Sequence, residues 1–300
     1  MKQRFLILLS SLIILLSYQS AFAQNNYIIK GLNYLNTTQN SDGSLGSITS
    51  TTDITRTTIA VLDTLQALSQ TNTTPYSNAV SWLQGQSIST TDYLSERMFT
   101  LSSGGSDESL LISYIDQASG VWGGYEGYGI NNLDTALALS ALKSVNYSGQ
   151  TTISNAVLYL VTNQNSDGGW GFYAGDESNV YMTAMVLQVF NGLRATYNLT
   201  VPISSASQYL LSHQNADGGF GSSPSTVYET ALSFLALLGS GQGQALPLQN
   251  AINYITTTQS SDGSWNDDAY STAHKKILFT LHIPFVNQRV IWRVNEDRFS

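Results

Sequence analysis

An eight-residue phrase, QNSDGGWG from Gln164 to Gly171, returns almost unchanged as QNADGGFG from Gln214 to Gly221. Looser copies, QNSDGSLG and QSSDGSWN, begin at Gln39 and Gln259. Each follows a short apolar-periodic run that ends in an aromatic–aliphatic pair: Tyr34-Leu35, Tyr159-Leu160, Tyr209-Leu210 or Tyr254-Ile255. The aromatic residue stands five positions before the Gln in every copy. A phrase held in phase at about 45–50 residues marks a repeat architecture, in which one unit cannot bury its apolar face alone and must stack on its neighbours.

The phrase reads as turn chemistry. Gln closes a helix, where backbone carbonyls lack partners and a side-chain donor is useful. Asp accepts from nearby amides, and Gly takes positive φ without steric cost. Trp or Phe then folds back as an apolar wedge between successive units. A calcium loop is the sharper reading of Asn165, Asp167 and Gly168, but such a loop needs an acid two positions before the Asn. The four copies hold Thr38, Asn163, His213 and Thr258 there, so no metal site is expected.

Between the phrases the chain divides into six helix pairs, over about 25–72, 73–105, 106–149, 150–199, 200–245 and 246–281. The first helix of each pair carries one apolar stripe, as with Ile28, Leu32 and Leu35. The second helices are Thr57 to Leu68, Asp92 to Leu101, Leu133 to Leu142, Met182 to Leu193, Glu229 to Leu238 and Ser271 to Leu281, apolar nearly all round. The second unit lacks the DGG turn, and Gly104-Gly105 is expected to end its inner helix; the third has a variant, QASGVWG, after an outer helix from Glu108 to Asp116. A helix apolar on every side must be covered on every side. Two concentric rings do this, so the expected fold is all-α, an (α/α)6 toroid of six helix-pair repeats; a linear solenoid with polar caps is the competing arrangement.

These residues also carry a resemblance. QNSDGGWG and QNADGGFG after an aromatic–leucine helix resemble the QW-type repeats of squalene–hopene cyclases and the related repeats of protein prenyltransferase β subunits. The resemblance covers nearly all of the chain after the first 23 residues. It implies the toroid and, in some members, a central apolar cavity for isoprenoids. It also implies two catalytic constellations, and the residues fail both. The cyclases protonate an alkene with the middle Asp of a DxDD-T-A segment, whereas the best match here is Asn131-Asn132-Leu133-Asp134-Thr135-Ala136. Leu133 stands at the acid position, leaving Asp134 as the best candidate for a relocated acid. The prenyltransferases use zinc held by Asp, Cys and His, and this chain has no Cys. No cofactor is expected.

Aligned at their starts, the inner helices place Arg56, Glu96, Asp134, Met182, Glu229 and Ser271 in one column around a mouth of the ring. Acids there are read first as helix caps favoured by the dipole, and second as a general acid–base pair of the glycosidase type. Tyr181, Tyr228 and Tyr270 precede the column, and Trp122, Tyr125 and Tyr128 lie in the third unit's loop. Aromatics around a concave mouth suit a flat or apolar ligand, and equally suit core packing. The leading functional expectation is a non-catalytic binding or scaffold module that takes an isoprenoid, a glycan or another small ligand in the central cavity. The alternatives are an isoprenoid cyclase-like enzyme acting through Asp134, and a glycan-acting enzyme using Glu96, Asp134 or Glu229.

Lys2 and Arg4, an apolar run from Phe5 to Leu16 and Ala21-Phe22-Ala23 form a secretory leader with cleavage after Ala23. A secreted or periplasmic address follows, with no membrane span after the leader is removed. The net charge is −8, and −10 without Lys2 and Arg4, which argues against nucleic acid. Residues 282–300 read as a basic tail, and the repeat pattern collapses at HKKILFTL, from His274, as though the end were irregular or truncated.

Overall fold

The computed structural model describes residues 26–46, 54–243, 245–266 and 269–273. The leader, the basic tail and most of the last inner helix therefore lie outside the described residues. So do the side chains of Tyr270 and Ser271.

The helices in chain order are α1 (26–36), α2 (Ile54–Ala67), α3 (Thr74–Gln84), α4 (Thr91–Leu101), α5 (Gly105–Ser113), α6 (Asn132–Ser144), α7 (Gln150–Thr162), α8 (Val180–Leu193), α9 (Thr200–Ser212), α10 (Val227–Ser240), α11 (Ala245–Thr257) and α12 (Ala269–Ala273). The described residues form no strand, only isolated bridges beside the turns. The even-numbered helices pack on one another, α2 on α4, α4 on α6, α6 on α8 and α8 on α10. The odd-numbered ones cover them from outside: α3 on α2, α5 on α4, α7 on α6, α9 on both α8 and α10, and α11 on α10.

The first and last described units meet. α12 packs on α2, and the Thr64 hydroxyl donates to the Ala273 carbonyl. Gln259 Nε2 donates to the Tyr27 carbonyl at 3.0 Å, 232 residues away in sequence. An open solenoid has no such contacts; the architecture is an α/α toroid.

The repeated phrase explains how each unit engages the next. Asp167 Oδ1 accepts from Gly169 N at 2.9 Å, and Gly168 takes φ +89°. Gln164 Nε2 donates both to Gly168 O and to Pro202 O, a carbonyl in the first turn of the following outer helix. Gln39 reaches Pro75 and Gln214 reaches Pro247 in the same way, so the Gln joins units rather than merely capping its own helix. Trp170 is fully buried, with Nε1 donating to Leu160 O at 2.8 Å; Trp122 and Trp265 repeat this on Leu111 O and Ile255 O. On the far side, Thr183 Oγ1 accepts from Trp170 N, and Thr58, Thr135, Thr230 and Thr272 serve the other turns. The Thr of the T-A segment is thus a structural residue that locks turn to inner helix.

The second unit solves the same problem differently. Arg97, only 8% exposed, donates through Nη1 to Leu83 O and Gln86 O, at the end of the outer helix where other units place an indole N–H. Its charge is met by Asp107 in a two-pronged contact at 2.7 Å. Two boundaries differ from expectation. Ser102, not Gly104-Gly105, takes the left-handed position after α4 (φ 47°), and those glycines open α5, which runs from Gly105 instead of Glu108.

The inner helices are not apolar all round either. Each keeps a partly exposed stripe at helical spacing: Arg56 and Asp63 on α2; Asp92, Glu96 and Phe99 on α4; Leu133, Leu137 and Ser140 on α6; Tyr181, Met185 and Gln188 on α8; Tyr228, Leu232 and Leu235 on α10. With neighbouring inner helices on two sides and outer helices on the third, this stripe faces the axis of the ring. At the C-terminal end of the inner layer, side chains tie each helix to the next. Gln66 donates to Thr100 O, Lys143 to Gly192 O, Asn191 to Ala236 O and Arg194 to Gly239 O.

Candidate functional site at the mouth of the ring

The inner helices α4, α6, α8 and α10 start from Thr90, Asn131, Asn179 and Thr226. Counting from those caps corrects the expected column. The second helical position holds Asp92, Leu133, Tyr181 and Tyr228, and Arg56 holds the matching place two residues before Thr58. Glu96 lies one turn deeper. Met182 is 2% exposed and packs in the core rather than at the mouth.

One side of the mouth is charged. Arg56 Nη2 pairs with Asp92 Oδ2, Arg56 Nε lies 3.5 Å from Glu96 Oε2, and the guanidinium sits 4.6 Å from the Tyr93 ring centroid. Burial pushes the Glu96 carboxyl up to about 7; Arg56 opposes the shift, and the charges of Asp92 and Asp63 add to it. Glu96 therefore sits between protonation states at neutral pH.

Asp134 is 5% exposed and stands three residues after the N-cap Asn131. Its backbone N–H donates to Asn131 Oδ1, while Asn131 Nδ2 donates back to Asp134 Oδ2. Burial raises its pKa, against the Asn131 amide. Glu229 repeats the arrangement with Thr226, whose hydroxyl both accepts from Glu229 N and donates to Glu229 Oε2. The caps are therefore Asn131 and Thr226; the two acids, expected to cap amides themselves, instead hold the capping side chains in place.

The other side is aromatic. Tyr181 and Tyr228 lie 5.9 Å apart, centroid to centroid. Trp122 is fully buried as a wedge and does not line the mouth. Tyr125 and Tyr128 are half exposed on the loop before α6, with ring centroids 4.8 Å apart. Beside them stand Phe172 and Tyr173, edge to face at 4.8 Å, on the loop before α8. Sequence reasoning missed Asp92, Tyr93, Phe172 and Tyr173. Asp92 was hidden because the second unit has no DGG turn to set the register; Phe172-Tyr173, directly after Gly171, was legible but not singled out. On the outer face of the same loop, a polar cleft of about 430 Å³ is lined by Asn165, Asp167, Asp176, Glu177, Tyr209 and His213. His213 caps α9 there, stacked on Tyr209 at 4.0 Å. Among the described residues no group of three or more His, Asp or Glu is placed to hold a metal ion.

Two family models match. One, the squalene-hopene cyclase C-terminal domain, matches residues 176–287; the other, the prenyltransferase alpha-alpha toroid domain, matches residues 3–106. Each match covers a little over a third of the chain, so the chain is similar to these domains at its two ends, and the second is a domain of the α/α-toroid kind seen here. No curated protein matches it by sequence. Among solved structures, the toroid superposes on an ent-copalyl diphosphate synthase from Streptomyces platensis with TM-score 0.60 and 17% identity, over 76% of this chain and 50% of that one. It thus spans half the length of the synthase chain. A protein from Actinoplanes gives TM-score 0.63 at 16% identity, covering 81% and 83% of the two chains. A possible member of the GH105 family from Klebsiella pneumoniae gives 0.62 at 14% identity, covering 86% and 92%. At these identities the likeness is one of fold.

Proposed function

We propose that this toroid is a binding module without cyclase chemistry, which takes a small ligand at the end of the ring where the inner helices begin. The observation that carries the reading is what occupies the cyclases' acid position. Leu133 stands there, and the remaining acid of that segment, Asp134, is buried with Asn131 bonded to its carboxyl. The zinc chemistry of the prenyltransferases has no Cys to build on. The leader-like first 23 residues support a ligand met outside the cytoplasm.

The isoprenoid-cyclase alternative rests on the family likeness and on a neighbour described as a diphosphate synthase. Glu96 does not rescue it: an acid with a pKa of about 7 is a poor donor to an alkene. That same value favours a second reading, general acid–base work on a polar substrate such as a glycoside, where a carboxyl poised near neutrality is well matched. Purified protein incubated with squalene, geranylgeranyl diphosphate and a panel of oligosaccharides decides among the three. The expected result is no cyclised or cleaved product by mass spectrometry. A cyclised product lost in Asp134→Asn, or sugar release lost in Glu96→Gln, overturns the non-catalytic reading.

A further inference from the structure

The rim carries one exposed surface that neither the fold nor the caps explain. Tyr125, Tyr128 and Tyr173 are 50%, 48% and 40% exposed. They belong to two loops that are fastened together, with Asn132 N donating to Phe172 O and Asn132 Nδ2 to Gly171 O. The aromatic surface is continuous. Desolvation, and then the Tyr128 phenol beside it and the carboxylates of Asp176 and Asp134, push the Tyr173 phenol up. A methyl group placed on Gly124 would stand 3.6 Å from the Tyr128 ring and 3.8 Å from Asp134 Oδ2.

Charge narrows the occupant. Between Arg97 and Arg194 the sequence holds a single cation, Lys143. Arg97 is sealed against Asp107, while Lys143 and Arg194 are bound to carbonyls at the opposite end of the inner helices. Among the described residues the cation of the mouth is Arg56, which already faces Asp92 and Glu96. A diphosphate, a phosphorylated ligand or an acidic polysaccharide would find carboxylates at this rim instead of partners. A plain hydrocarbon would leave three phenol hydroxyls and the acids beside them without exchange for lost water. A neutral sugar fits both demands, because a pyranose has an apolar C–H face for an aromatic ring and hydroxyl donors for carboxylates and phenols. The rings are also half open to solvent and tilted by 32° within the Tyr125–Tyr128 pair, a platform rather than an enclosure for a single cation.

We infer that Tyr125, Tyr128 and Tyr173 form a stacking platform for a neutral oligosaccharide, with Glu126 and Asp176 of the same two loops, the latter already bonded to Tyr173 N, accepting its hydroxyl protons. This names the ligand class for the binding module proposed above and rests on that reading.

The test is isothermal titration of the full-length mature chain with cellohexaose, xylohexaose, maltohexaose and chitohexaose, alongside farnesol and tetramethylammonium as competing probes. At least one hexasaccharide is expected to bind with a Kd below about 1 mM. Tyr128→Ala is expected to weaken it about tenfold or more and Tyr128→Phe much less, with unchanged circular dichroism in both. Binding of no hexasaccharide, or saccharide binding indifferent to Tyr125→Ala, Tyr128→Ala and Tyr173→Ala, overturns the platform. If farnesol binds instead, with sensitivity to Tyr181→Ala, the saccharide class falls while the binding reading stands. If tetramethylammonium alone binds, the surface is a cation site and the saccharide class falls. If none of the probes binds, both fall.

Discussion

Gly168 shows how a single residue can be fixed twice over. Its φ of +89° is costly for any side chain, and a Cβ there would stand 2.5 Å from the Ser205 carbonyl oxygen of the next outer helix. Gly175, at φ +83°, has nothing within 4 Å of the same imaginary atom. Gly175→Ala is therefore expected to cost about 1–2 kcal/mol, the left-handed penalty alone. Gly168→Ala adds a backbone clash and should cost about 3 kcal/mol or more. Urea denaturation of both variants reads the difference; equal losses would show that the close approach between units contributes nothing. Glu96 gives a second prediction at this scale. Its folded pKa of about 7 exceeds the unfolded 4.5, so the folded state binds more protons between those values and stability falls as pH rises through that window. Ionised Glu96, a quarter exposed, then costs on the order of 1–3 kcal/mol above pH 7. Glu96→Gln should flatten the stability profile between pH 4.5 and 7 and gain on wild type at pH 8, measured by thermal melts across that range. A parallel pair of profiles would refute the shift.

At the level of the helix and its turn, the sequence was readable wherever one side chain does one local job. Asp167 bonding Gly169 and the burial of Trp170 both follow from turn chemistry and hydrophobicity. That Asp134 and Glu229 stand at helix starts was equally legible, although the residues that cap are Asn131 and Thr226, three positions before them. What could not be read was anything set by a partner far along the chain. Gln164 looks like a cap from its own helix, but its second bond goes to Pro202. Arg97 carries no sequence signal for its role, which is to bond the carbonyls that an indole meets in other units. The mouth column slipped for a local reason instead: the caps Asn131, Asn179 and Thr226 make Asp134, Met182 and Glu229 the third helical residues, one past the mouth position, and Thr90 sets Glu96 a turn deeper. The Gln bridges make a quantitative claim. Gln214→Ala removes bonds to Gly218 O and Pro247 O at 2.9 and 2.8 Å, so it should cost about 1–3 kcal/mol. Gln117, in the variant turn, reaches only Ile115 O two residues away, so Gln117→Ala should cost about 0.5 kcal/mol or less. Chemical denaturation of the pair tests whether the bridge between units, and not the Gln itself, carries the stability.

For the whole molecule, closure changes what a local defect does. In an open stack each unit answers mainly to its two neighbours, and the terminal units are the weakest. Here the sixth turn sits on the first helix. The ring of Trp265 would come within 3.3 Å of a methyl group on Gly31, and Gly263 packs on the Lys30 carbonyl as Gly168 packs on Ser205. The seam is thus built from the same parts as the junctions that follow Gln39, Gln164 and Gln214, and the first and last described units should be as protected as the middle until that junction is wedged apart. Gly31→Leu does this by overfilling a tight contact, at a cost of about 1–3 kcal/mol. Hydrogen exchange should then accelerate in α1, α2 and α11, on either side of the seam. The α6 to α8 region, on the far side of the ring, should hold its protection longest, because opening one junction leaves its packing intact. Exchange that rises uniformly around the ring would mean that the toroid unfolds as one unit with no seam. Exchange confined to α1 would mean that the Gln259–Tyr27 contact holds nothing together.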